Sequence, residues 1–157
     1  MKRPLTTTVS EINPAGVTSV SNDIMPHARP YGASFDINSA TTGMTERAMC
    51  SSIGECGRYT RFGLNDGGIN TRVAFNNLEL DHAYKYETFL SKKGFSNLGH
   101  TMQSYTPKAG DIMVFGRTSN HLSGHVQMFN GTNWVSDFIQ QTPYPWSDYR
   151  RYTIFRW

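Results

Sequence analysis

Two alternating runs joined by Asn130-Gly131 constrain this chain more than any other feature. His125 to Phe129 and Trp134 to Phe138 each have the period of two of a strand. An Asn-Gly pair between such runs is the strongest short-range hairpin signal. Asp111 to Phe115 reads as a strand before this pair, and Arg151 to Trp157 as one after it. The half before them reads as helix. Ser52 and Glu55 have capping-box spacing, Ile53, Cys56, Thr60 and Leu64 recur at helical spacing, and Asn65 to Gly68 is a stop. Gly57 and Gly63 lower that helix's intrinsic propensity, so packing must hold it. A second helix is expected over 78–93, with Asn77 as its cap, Glu79 and Asp81 at the positive end, Lys92 and Lys93 at the negative end, and Gly94 closing it. Helices followed by an antiparallel meander make an α+β domain.

The first 45 residues are rich in Thr, Ser, Asn, Pro and Gly and keep neither period. Residues 1–45 are therefore expected to be a loop-rich extension, and 46–157 the folded domain. A chain of 157 residues, 38% apolar and 17% charged, has material for one core. No stretch approaches the roughly 18 to 20 apolar residues of a membrane span. The first residues lack the apolar centre of a Sec signal peptide. The net charge of +3 favours approach to an anionic polymer. Its charges are dispersed, with no RNA-binding aromatic motif and no zinc-finger spacing, so nucleic acid is not the expected partner.

Chemistry centres on Cys56. A thiol attacks carbonyls as the thiolate, and a free cysteine with a pKa of about 8.5 is mostly protonated at neutral pH. A helix start and an imidazole are the usual remedies, and Cys56 has the first by position. His125, opening a strand after Ser123-Gly124, is the candidate base. Asp137, on the partner strand, is the candidate orienting group. Its register has two forms. A tight two-residue turn sets Ser136 opposite His125, whereas a bulge or longer turn through Thr132-Asn133 is expected to bring Asp137 there. Gly57 leaves room beside the sulfur; His121 and Trp134 are further candidates for substrate contact.

The stretches ECGRYTRFGL, GDIMVF and GHVQMFNGTNWVSDF resemble, in order, the papain-like peptidoglycan amidases and endopeptidases of the NlpC-like and CHAP groups. The last is most similar to the fourth family of type VI secretion amidase effectors. The resemblance covers roughly residues 50–157. It implies a papain-like fold, a Cys-His-Asp triad of Cys56, His125 and Asp137, and no cofactor or metal. It also implies a thioester intermediate on Cys56, whose backbone amide at the helix start would stabilise the oxyanion. The implied substrate is the peptidoglycan stem peptide, cut in the periplasm of a target cell after export through a secretion apparatus. A cognate immunity protein is the implied inhibitor.

Alternatives stand beside this reading. Cys50 competes as nucleophile but precedes the helix start, and a Cys50–Cys56 bridge would mask the thiol. His27, His82 and His100 share no ligand spacing with the cysteines. Tyr144, Trp146, Tyr149 and Tyr152 form either a binding platform or core packing. A phage endolysin of the same chemistry, a non-catalytic wall-binding module, and a cysteine hydrolase acting on protein are the rival functions.

Overall fold

The computed structural model describes residues 29, 32–100, 105–149 and 151–157. Positions 1–28, 30 and 31 of the expected loop-rich stretch, His27 among them, lie outside the described residues. The remainder of that stretch departs from expectation, because α1 (Ile37–Arg47) is a helix. Asp36 caps it, its carboxylate accepting from the Ser39 amide at 3.0 Å and the Ser39 hydroxyl at 2.8 Å. Ala40 and Met44 are buried against α2 (Cys56–Asp66), and Phe35 joins the same core. The approach of α1 to α2 is close: a Cβ on Gly63 would stand 2.5 Å from Met44 Cγ. Gly63 is thus a packing requirement of the helix whose propensity it lowers.

The expected long helix over 78–93 is broken. Asn77 closes a short α3 (Arg72–Asn76), Leu78 takes the left-handed conformation at φ 59°, and a 3-10 turn (Ala83–Lys85) follows. Only α4 (Tyr86–Lys92) is regular, ending at Gly94 with φ 94°. A non-glycine residue at positive φ interrupts a helix, and Glu79 and Asp81, expected at the positive end of one helix, lie outside any helix.

Six strands form one sheet: β1 (Ser96–Gly99), β2 (Ile112–Phe115), β3 (His125–Phe129), β4 (Trp134–Val135), β5 (Ile139–Gln140) and β6 (Tyr152–Arg156). Their order is β1-β6-β2-β3-β4-β5, with every pair antiparallel. The expected strand Trp134 to Phe138 stops at Val135, because Ser136 folds back to donate its amide to the Phe138 carbonyl at 3.0 Å. The last ladder pair of β3 and β4 is Phe129 with Trp134, leaving a loop over residues 130–133. Asn130 Oδ1 organises this longer turn, accepting from the amides of Thr132 (2.9 Å) and Asn133 (2.7 Å).

Alternation along the strands divides the core. Ile112, Val114, Val126, Met128, Val135 and Phe155 pack beneath the helices against Ala40, Met44, Leu64, Tyr86 and Leu90. Met113, Phe115, Trp134 and Ile154 face the other way, covered by Trp146, Tyr149 and Tyr152. Those C-terminal aromatics are therefore packing against the sheet. Asp111, just ahead of β2, is a fully buried carboxylate. It accepts from the Lys108 amide, the Tyr105 hydroxyl, and both Nε and Nη2 of Arg156 at 2.7 Å, which fastens β2 to β6. No helix among the described residues is long and apolar enough to cross a membrane.

Candidate active site

Helix α2 begins at Cys56, later than a cap at Ser52 would place it, and the capping box does not form. Glu55 occupies the N-cap with no side-chain cap. Ser52 instead donates its hydroxyl to Asp137 Oδ2 at 3.2 Å. That same oxygen accepts from the amides of Ile53 (2.6 Å) and Glu55 (3.2 Å), while Oδ1 accepts from the Ser136 hydroxyl at 3.0 Å. The Asp137 carbonyl also accepts from the Met49 amide at 2.7 Å. One buried aspartate therefore stitches the whole segment ahead of α2 to the sheet. Burial raises its carboxyl, but the amides of Ile53 and Glu55 and the Ser136 hydroxyl outweigh that and hold it below the ordinary value.

Cys56 sits half-buried against the core beneath the helices. Its thiol lies against the Val126 backbone amide, which belongs to the residue after His125. Cys56 thus meets the start of β3, and α2 packs along that strand. Burial pushes the Cys56 thiol up to about 11, and the Asp137 charge adds to this; the amides of Val126, Gly57 and Cys56 favour the thiolate. Cys50 is exposed, and both cysteines are free, so the bridge left open by the sequence does not form.

His125 is buried at 6% exposure. Gly124 sets its entry into the strand at φ 68°, where a Cβ would stand 2.3 Å from the Phe115 carbonyl oxygen. Pairing His125 with Phe115 puts the imidazole on the face away from Val126. There it lies 6.0 Å from the Phe115 ring and edge-on to Trp146 at 5.7 Å. Burial pushes the imidazole down to about 4; the Asp137 charge and the Gln127 and Gln140 side chains favour its charged form, and His121 opposes it. Its Nε2 is buried without a hydrogen-bond partner among the described residues.

The longer turn does occur, yet it does not set Asp137 squarely across from His125. Trp134 and Val135 alternate, so Asp137 follows Val135 onto the helix side, where its hydrogen bonds go to residues 52–55 and Ser136. Its influence on His125 is through space. No hydrogen bond joins the Cys56 sulfur to the His125 ring in this arrangement. Burial works against the expected thiolate–imidazolium pair, raising the Cys56 thiol and lowering the His125 imidazole.

The remaining candidates divide. Gly57 lines a cleft of about 250 Å³ with Gly54, Glu55, Arg58, Arg61 and Ser123, which runs from the start of α2 to the loop before His125 beside, and not lined by, Cys56 and His125 themselves. Tyr86 holds this wall, its hydroxyl donating to the Gly57 carbonyl at 2.6 Å. His121 stacks on Trp146 with ring centroids 3.8 Å apart, and its Nε2 is 3.6 Å from Asp148 Oδ1. Trp134, expected to touch substrate, is 5% exposed and packs with Phe129, Met113 and Phe115 in the outer core. Sequence reasoning missed Ser52 as a partner of Asp137, and missed Gln127 and Gln140. Their alternation on β3 and β5, on the face of His125, was the available signal. Among the described residues, no group of three or more His, Cys, Asp or Glu side chains could hold a metal ion.

No family model matches the chain, and no curated protein matches it. Two solved structures resemble it. One is a type VI native effector–immunity complex, Tae3–Tai3 from Ralstonia pickettii, matched with a TM-score of 0.63 and 26% identity over 78% of this chain and 99% of the other. Its selenomethionine form matches with a TM-score of 0.60 and 26% identity over 76% and 99%. The comparison thus returns complexes named Tae3–Tai3, where the motif stretch resembles the fourth effector family. The α+β architecture is shared along almost the full length of a chain from a type VI effector–immunity pair.

Proposed function

We propose that this chain is an antibacterial cell-wall hydrolase, a type VI effector that cuts an amide bond in the peptidoglycan stem peptide in the periplasm of a target cell. The observation that carries this reading is the likeness over 99% of a chain from an effector–immunity complex. A cognate immunity protein is the partner that accompanies it.

Cys56 is the nucleophile in a papain-like arrangement, with His125 as base and then acid. A neutral imidazole is the competent form of a base, and burial keeps His125 in that form. The ring turns toward the sulfur beside Val126 when substrate fills the cleft, since catalytic hydrogen bonds are often long in a free enzyme. His125 takes the Cys56 proton as the Cys56 sulfur bonds to the carbonyl carbon. The carbonyl oxygen gains the negative charge, and the Cys56 amide at the helix start stabilises it, a contribution of about 3 kcal/mol in other enzymes. The C–N bond breaks, and the imidazolium protonates the leaving amine. Water, deprotonated by His125, then releases the acid and regenerates the thiol. Asp137 fixes the loop that carries Cys56 and lends its charge to the imidazolium that forms.

Digestion of purified peptidoglycan by wild type and Cys56→Ala, read by mass spectrometry of the muropeptides, tests the reading. Wild type is expected to yield a defined amide cleavage and the variant none, while still binding wall. Equal cleavage by both, or none by wild type, overturns it. Inhibition by the product of a neighbouring gene for a small periplasmic protein separates the effector from an endolysin.

A further inference from the structure

A histidine that acts as the base of a hydrolase has a requirement that Cys56 and Asp137 leave unmet. A neutral imidazole has one N–H and one bare nitrogen. A base keeps the bare nitrogen for the thiol, so its N–H needs an acceptor behind it. His125 is buried, where an N–H without an acceptor is costly.

Few groups near the ring can serve. Asp137 is committed to the helix side of the sheet, where Ser52, Ile53, Glu55 and Ser136 use its oxygens. Trp146, edge-on to the ring, offers only a donor N–H. His121 is stacked flat on Trp146. Cys56 is the proton donor of the reaction. Two glutamines remain, both buried and both on the His125 face.

Their orientation is set by which atoms can donate. The Pro143 carbonyl can only accept, so the Gln127 atom 2.8 Å from it is Nε2. Gln127 Oε1 then points toward Gln140 and accepts its Nε2 at 2.6 Å. That leaves Gln140 Oε1 as the uncommitted carbonyl of the pair. Gln127 also rests its Nε2 against Met113 Sδ at 3.6 Å, so the chain Pro143–Gln127–Gln140 is fixed at its far end. Trp134 pairs with Gln140 across the sheet, which locks the β5 position.

We propose, resting on the hydrolase reading, that Gln140, oriented by Gln127, is the positioning residue for His125, its carbonyl oxygen accepting the ring N–H so that the other nitrogen faces Cys56. The third partner of the histidine is then an uncharged amide, and the aspartate serves the nucleophile loop. An amide acceptor orients the ring without stabilising the imidazolium as fully as a carboxylate would. The effects of Gln127 and Gln140 on His125, which favour its charged form against burial, agree in direction. The charged and titratable groups that bear on the ring's protonation are Asp137 from the helix side and His121 from the loop before β3.

The test uses the full chain with Gln140→Leu and Gln140→Glu. Ring 15N shifts of His125 report its tautomer whether or not the protein cuts wall. Wild type is expected to hold one tautomer, Gln140→Leu a mixture, and Gln140→Glu the wild-type tautomer with a raised titration midpoint. On peptidoglycan, Gln140→Leu is expected to lose about a hundredfold in kcat with KM held within about threefold. Gln140→Glu is expected to retain most of kcat with the acid limb of its pH profile moved upward. An unchanged tautomer in Gln140→Leu overturns the assignment, as does an altered tautomer with unchanged kcat. If wild type cuts no wall while the tautomers behave as described, the hydrolase reading fails and the ring's support by Gln140 stands.

Discussion

Asp137 is a carboxylate with no exposure that accepts from two backbone amides and two hydroxyls. Removing it strands donors that shaped the segment before Cys56, though residues 52–55 are exposed enough for water to serve them in part. Asp137→Ala is therefore expected to cost about 3 kcal/mol in urea unfolding, and Asp137→Asn less, because an amide oxygen keeps one acceptor. Both are expected to lower kcat by about a hundredfold through displacement of the Cys56 loop. His125 has its own signature in pH. Its native value near 4 lies below the ordinary 6.5, so between those limits the unfolded chain binds a proton that the native ring refuses. Stability then falls as pH falls through that window, by about 3 kcal/mol across the full gap. Urea titrations are expected to show this loss in wild type and not in His125→Gln. Asp137, held below 3.8, adds its own loss only at lower pH.

At the scale of elements, the entry to β3 is the most exacting point. Gly124 combines φ 68° with a Cβ position 2.3 Å from a backbone oxygen. Gly124→Ala is expected to cost about 3 kcal/mol and to shift His125, read as a fall in both melting temperature and kcat. This Gly-His entry was legible in the sequence, as were a helix with Cys56 in or near its first turn and the limits of β3, because each is written in local chemistry. The reason α2 starts there was not legible. Ser52 and Glu55 have the spacing of a local cap, yet the acceptor is a side chain from far along the chain, and no period reveals such a partner. α1 escaped notice because Phe35, Ala40 and Met44 carry its packing amid Thr, Ser and Asn. The helix over 78–93 was overread, since charges at its ends suited a length that Leu78 interrupts. Asp137 was expected opposite His125, but β4 ends before the ladder reaches it, and its hydrogen bonds go to residues 52–55 and Ser136.

For the molecule as a whole, the sheet brings the sequence-distant β6 between β1 and β2. Asp111, fully buried, and Arg156, half-buried, bind the two inner strands by a two-point ion pair. Asp111→Ala leaves the Arg156 guanidinium without its partner at the sheet centre. It is expected to cost about 4 kcal/mol in denaturant unfolding, more than any surface pair such as Lys92 with Glu79. Pairing between distant segments also slows folding, because loop closure precedes any reward from contacts. The insertion of β6 has a further reach in the life of the cell that makes this protein. A ribosome translating it carries a polypeptide whose β1 and β2 have no partner on that side until Arg156 has emerged. Synthesis itself thus withholds the finished fold, and loss of the segment from Tyr152 onward would leave β1 and β2 without the strand between them.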